Sequence, residues 1–139
     1  MVFALDEALK MMREEGLDNI FFRHNKHKLA MSNAVKALNL KLFADEKYLS
    51  PSITAIKTEG LDAEEFRKII KNKFDILLAG GQDHLKGEIF RVGHLGYVND
   101  RDIITVVSAI SNTLLKIGKI TAQQAGEALV VASRFLKEN

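Results

Sequence analysis

The residue with the most chemistry to offer is Arg91, set in the run Phe90-Arg91-Val92-Gly93-His94-Leu95-Gly96. A guanidinium stays charged at any working pH, and its planar fork matches a carboxylate through two parallel hydrogen bonds. The glycines that follow let a ligand come close to the backbone. Charged residues are mostly exposed, so the plainer reading of Arg91 is a strand-end arginine or half of a structural ion pair. Gly80-Gly81 could form the mouth of such a site and is also an ordinary turn signal, and the two readings are compatible. Neither Gly80-Gly81 nor the pair Gly93 and Gly96 has the full spacing of a dinucleotide or phosphate loop.

Other polar groups carry less. His24 and His27 stand three apart on a helical stretch and could face one metal ion, but no third ligand accompanies them, so a solvated helix face is expected and no metal site is assigned. His94, within the same motif, could orient the loop around Arg91, but a structural hydrogen bond is the more economical expectation. The acid pairs Glu14-Glu15 and Glu64-Glu65 have polar, helical neighbours and read as solvated faces, not as general acids or bases. Ser50, Ser52 and Thr54 have no adjacent base, which leaves a nucleophile unsupported. No catalytic residue is assigned.

The chain has 139 residues, 20 basic and 18 acidic, for a formal charge of +2. That length suits one domain spanning 1–139, and 47% hydrophobic residues can fill a core without staples. The near balance of charge argues against nucleic acid as a partner. There is no cysteine, which excludes disulfides and thiolate metal sites. No apolar run reaches the roughly 18 residues needed to cross a bilayer. The N-terminal stretch carries acids early and reads as an amphipathic helix instead of a leader. A cytoplasmic chain is the default expectation.

The elements that must position Arg91 follow from periodicity. Val2, Leu5, Leu9 and Met12 predict a helix over 2–15 that Gly16 ends. Asp18 is the expected N-cap of a second helix reaching about Leu38, with Phe21, Met31, Val35 and Leu38 on its apolar face. Residues 40–43 and 52–58 suggest strands, the second the better because it is β-branched. Asp62 caps a helix over 63–72. An apolar run from Phe74 to Leu78 predicts a short strand broken by Ala79-Gly80-Gly81, and 88–92 another. Asn99 or Asp100 caps a helix carrying Ile103, Val107, Ile110, Leu114 and Ile117, which Gly118 stops. Thr121 opens a last helix, with Ala125, Leu129, Ala132 and Leu136 on one side and core packing as its preferred role. The order predicts an α+β fold, a small mostly antiparallel sheet with helices packed on one face.

The string Gly80-Gly81, Lys86-Gly87 and Phe90-Arg91-Val92-Gly93-His94-Leu95-Gly96 resembles class V aminotransferases. That branch holds the alanine–glyoxylate and serine–glyoxylate (or serine–pyruvate) enzymes and relatives described as subunits of a soluble hydrogenase. The stretches 5–16 and 17–38, with Arg23-His24, and Ser50-Pro51-Ser52-Ile53-Thr54-Ala55 fall in the expected order, so the likeness covers roughly 2–118.

The resemblance implies the C-terminal small domain of fold-type I pyridoxal-phosphate enzymes. Residues 1–16 would be the interdomain helix and 119–139 a C-terminal helical extension. It implies that Arg91 binds the carboxylate of the amino- or keto-acid substrate, with Gly80 and Gly81 at the mouth. The Schiff-base lysine, the aspartate for the pyridine nitrogen and the phosphate contacts would belong to a large domain, which this chain does not contain. Pyridoxal phosphate is therefore expected in the full-length family member, a homodimer, and not bound to this chain alone, which is expected to be inactive. The competing reading is a non-catalytic α+β interaction or self-associating domain. Regulatory amino-acid binding ranks behind both.

Overall fold

Two β-branched runs build the centre, β1 (Ile53–Lys57) and β3 (Ile89–Gly93), with a two-residue edge strand, β2 (Ala79–Gly80). The computed structural model describes residues 2–137. Around the sheet stand α1 (Val2–Glu15), α2 (Leu17–Ala37), α3 (Ala63–Phe74), α4 (Asp100–Lys116) and α5 (Ala122–Lys137). Both outer strands pair antiparallel with β3, in the order β1-β3-β2. The α+β expectation holds.

Side chains alternate across a strand, and the register sorts them. Thr54 faces Val92 and Ile56 faces Phe90, and all four are buried on the helix side. That side meets Met31 and Val35 of α2, Phe66 and Ile70 of α3, and Ile103, Val107, Ile110 and Leu114 of α4, whereas Ile117, predicted on the same stripe, lies past the helix end and is exposed. The Phe66 and Phe90 rings lie tilted with centroids 5.2 Å apart, an ordinary aromatic pairing distance. Ala128 and Ala132 of α5 are fully buried with Leu136 nearly so, and their small side chains let α5 lie close to the helices beneath it.

The helix starts are local chemistry. Asp62 accepts from the backbone N–H groups of Glu64 and Glu65, each at 3.0 Å. Asn99, not Asp100, caps α4 and forms a capping box with Asp102. Thr121 and Gln124 bond reciprocally ahead of α5.

Four expectations are corrected. Asp18 does not cap α2: the chain turns out of α1 through Gly16 (φ 82°), and Asp18 sits inside the first turn. Phe21 is 66% exposed, because the buried face of α2 runs through His24 and His27 instead. Residues 40–43 make only an isolated bridge, Leu42 to Ile56, with Phe43 N–H donating to Ala55. The Phe74–Leu78 run is not a strand. Helix α3 continues to Phe74 and is closed by Asp75 in the left-handed region, while Leu78 is buried from irregular chain and the pairing begins at Ala79.

Helix α1 has no buried residue. Phe3 is 90% exposed and Leu5 60%.

Candidate functional site

Alternation along β3 puts Phe90 and Val92 into the core and leaves Arg91 half-buried on the opposite face. Its cross-strand neighbours are Ala55 on β1 and Ala79 on β2, small residues that leave the guanidinium room. The Arg91 Nε–H donates to the Gly80 carbonyl at 2.9 Å. Its two terminal nitrogens make no hydrogen bond or ion pair among the described residues. Of the plainer reading, the structural ion pair is not formed among the described residues, whereas a strand-end arginine fits the half-buried place of Arg91 on β3. Arg91 is held at one atom with its carboxylate-matching edge free.

The glycines are there for different reasons. Gly81 is approached by the Leu85 carbonyl so closely that a Cβ would overlap it. Gly80 faces Arg67 of α3, whose Nη1 would lie 2.7 Å from an added Cβ. Neither has a positive φ; close approach of backbone requires Gly81, whereas at Gly80 the neighbour is the end of a flexible arginine.

The turn leaving Arg91 is bolted down. His94 is fully buried, its Nδ1 3.1 Å from the Pro51 carbonyl and its Nε2 2.9 Å from the Thr54 hydroxyl. Burial pushes its pKa down to about 4. The neutral ring therefore donates from Nδ1 to Pro51 and accepts from Thr54. The structural hydrogen bond expected of His94 is present. Two residues on, the Gly96 N–H donates to His24 Nε2 at 3.3 Å.

His24 and His27 are both buried, which corrects the solvated-face expectation. They do not converge on a common ligand position. His24 Nδ1 is 2.8 Å from the Ile20 carbonyl, and His27 Nε2 is 2.9 Å from Asp100. Burial depresses the His27 pKa. Burial also acts to raise the Asp100 pKa, but the bonds from His27 and Lys26 outweigh it. The pair is a neutral imidazole donating to a carboxylate, and its other ring nitrogen lacks a partner. No group of three or more His, Cys, Asp or Glu able to hold a metal occurs among the described residues.

Arg23 is the residue whose part the sequence hid. Its Nε and Nη2 grip both oxygens of Glu15 at 2.6 and 2.9 Å, and its Nη1 donates to the carbonyls of Gly96 and Val98 at 2.9 and 3.0 Å. Where Arg91 is left open, Arg23 is saturated. Glu15 is thus engaged, not solvated, and the Arg23 bond holds its carboxyl below the usual range. Glu64 likewise pairs with Arg67 at 2.8 Å. Ser50 and Ser52 bond each other at 2.9 Å with no base between them.

A groove of about 850 Å³ runs between α1 and the 97–101 turn, lined by Met11, Glu15, Arg23, Lys26 and Tyr97 among others. Arg91 does not line it. It stands on the open side of the sheet beside Gly80. Ala55 and Ala79 offer neither an amine for a cofactor aldehyde nor an acid for a pyridine nitrogen, so the neighbours of Arg91 do not by themselves fit pyridoxal phosphate.

No family model matches the chain. It is 51% identical over 136 residues to the small subunit of a soluble hydrogenase from Synechococcus, covering 98% of this chain and 35% of that protein. It is 32% identical to a serine–glyoxylate aminotransferase from Methylorubrum extorquens, over 100% of this chain and 35% of the enzyme. The crystal structure of ureidoglycine–glyoxylate aminotransferase from Bacillus subtilis superposes with a TM-score of 0.86 at 30% identity, covering 95% of this chain and 35% of that one. The chain thus spans about a third of the length of the relatives it matches. By these likenesses the chain is homologous to class V aminotransferases and corresponds to their C-terminal region.

Proposed function

We propose that this chain supplies the substrate-carboxylate anchor of a pyridoxal-phosphate aminotransferase. Arg91 grips the acid group of an amino or keto acid, and Gly80 and Gly81 keep the approach open. One observation carries the reading: a guanidinium fixed through Nε to Gly80, with its fork free on the open face of the sheet. Holding the carboxylate orients the substrate's reacting carbon, which lowers the entropic part of the barrier. The cofactor, when bound to the large domain, carries the amino group between donor and acceptor. By itself the chain neither binds the cofactor tightly nor transaminates. It works in the cytoplasm, as part of a homodimer, on small carboxylates and without nucleic acid or membrane.

The test is a graft. The chain replaces the matching region of the Methylorubrum enzyme, and kcat/KM for serine with glyoxylate is measured with Arg91 and with Arg91→Ala. Loss of one charged, two-pronged contact lowers kcat/KM by about 100-fold. Equal activity of the two grafts sinks the carboxylate role. Separately, stoichiometric Schiff-base absorbance of the ungrafted chain with pyridoxal phosphate, together with turnover, would overturn its inactivity.

One feature favours the competing, self-associating reading. The apolar residues of α1, Phe3 and Leu5 foremost, are exposed, and contiguous apolar surface marks a contact site. The same surface suits a large domain preceding α1, which is the reading we prefer.

A further inference from the structure

We infer that Arg67 is a positioning residue for Arg91, acting through the backbone of β2. The inference rests on the carboxylate reading of Arg91 and extends it to a residue on the other side of the strand.

Strand β2 is only two residues long and stands at the sheet edge. On its inner side it has the short ladder to β3, extended by Gly81 N–H donating to Ile89 at 3.0 Å. So brief a strand is poorly fixed by its ladder alone. Yet its Gly80 carbonyl is the single atom that aims Arg91. With Nε tethered there, the direction of the two terminal nitrogens follows the position of that carbonyl.

Helix α3 supplies the missing support. Arg67 Nε donates to the Leu78 carbonyl at 2.8 Å, and Nη1 reaches Glu64 at 2.8 Å. Its guanidinium lies against Gly80 so closely that an added Cβ would sit 2.7 Å from Nη1 and 3.2 Å from Cζ. Gly80 pairs with Phe90, on the helix side, whereas Ala79 pairs with Arg91, on the open side. The two guanidinium groups therefore bear on one edge strand from opposite faces. Arg67 fixes the strand, and the strand fixes Arg91. Glu64 neutralises Arg67 locally, so Arg67 does not compete for the ligand's acid group. The backbone of Gly80 is not in the left-handed region, and a side chain there would have to displace the Arg67 guanidinium from its present place.

The experiment uses the chain itself, isotope-labelled, with Arg67→Ala, Arg67→Lys, Gly80→Ala and the double variant Arg67→Ala/Gly80→Ala. The readout is the Nε–H resonance of Arg91, assigned by its loss in Arg91→Lys. Arg67→Ala is expected to shift that resonance and to speed its solvent exchange about fivefold, the scale of one hydrogen bond lost. The backbone amides of Phe90 and Val92, on the core side, stay in place, which a general loss of structure would not allow. Arg67→Lys keeps a single donor for Leu78 and gives an intermediate shift, and it serves as the reading variant if Arg67→Ala unfolds. Gly80→Ala perturbs the resonance alone but not when Arg67→Ala has vacated the space. An unmoved Arg91 resonance in both Arg67 variants overturns the inference. So does a Gly80→Ala effect that persists in the double variant. Titration with pyruvate on the same samples keeps the two readings apart. If pyruvate fails to move Arg91 even in the unaltered chain, the carboxylate reading suffers, whereas the Arg67 coupling is read without any ligand.

Discussion

The ring of His94 and the hydroxyl of Thr54 meet at 2.9 Å inside the protein, although 40 residues separate them. With the Pro51 carbonyl on the other ring nitrogen, this contact ties the start of β1 to the turn that leaves β3. It holds the C-terminal end of β3, the strand that carries Arg91. Burial keeps the imidazole neutral, because protonation would reverse the Thr54 bond and leave a charge in the interior.

Stability should therefore fall on mild acidification. His94 titrates near 4 in the folded chain and near 6.5 when unfolded, so the unfolded state takes up the proton first. Stability is complete above about pH 6.5 and declines as pH falls toward about 4, by roughly 3 kcal/mol in all. His27, also depressed by burial, adds a decline of the same sign. Denaturant melts across that window, repeated with His94→Gln, should show a shallower slope in the variant. Equal slopes would mean that His94 is not the group responsible.

The glycines around Arg91 should separate cleanly under alanine substitution. Gly81→Ala drives a methyl into the Leu85 carbonyl and is expected to cost about 1–3 kcal/mol, the scale of overpacking. Gly93→Ala meets nothing within 4 Å, and Gly93 has no positive φ. It is expected to be neutral or to stabilise by about 0.4–1 kcal/mol through the unfolded chain. Thermal melts of the two variants decide the matter. If Gly93→Ala is stable yet weakens carboxylate binding in the graft, that glycine serves the ligand and not the fold.

The pattern of the sequence carried the strand on which Arg91 stands, the stripe of α4 as far as Leu114, and the caps Asp62 and Asn99, because each depends on neighbours within a turn or a strand. What it did not carry was set by distant partners. His24 and His27 read as a solvated helix face until Gly96 and Asp100 arrive from more than 70 residues away. Leu78 reads as part of a strand because it is apolar, yet it is buried from irregular chain under α3. Residues 40–43 alternate like a strand, but only the Phe43 N–H and the Lys41 carbonyl find bonds to β1, at Ala55 and Lys57, so Leu42 makes a single bridge. Asp18 is a sound cap by type, but the Gly16 turn brings α1 straight into α2 and uses that position otherwise.

Arg23 should matter to stability far more than Glu15. Its Nη1 serves two backbone carbonyls in the 96–98 turn, and Arg23→Gln leaves both without that donor. The expected cost is about 1–3 kcal/mol. Glu15→Gln weakens a partly exposed ion pair (side chains 21% and 29% exposed), and such pairs are worth about 0–1 kcal/mol. Hydrogen exchange should then show faster opening of α1 in both variants, but faster opening around Gly96 chiefly in Arg23→Gln. If Glu15→Gln proves as costly as Arg23→Gln, the carbonyl contacts are not what makes Arg23 important.

Helix α1 gives the last prediction. Its apolar residues bury nothing within the described chain, so removing them should leave folding intact while changing association. Phe3→Ser with Leu5→Ser is expected to alter the melting free energy by no more than about 0.5 kcal/mol, the range for surface substitutions. Light scattering of the unaltered chain should show concentration-dependent oligomers that the double variant reduces, because exposed apolar area favours any contact that covers it. In the graft, the Arg91 contact is unaffected by these substitutions, so KM for serine should stay within about twofold while thermal stability of the whole graft falls. A graft insensitive to both substitutions would show that α1 does not seat the preceding domain through Phe3 and Leu5, and would return weight to self-association as their purpose.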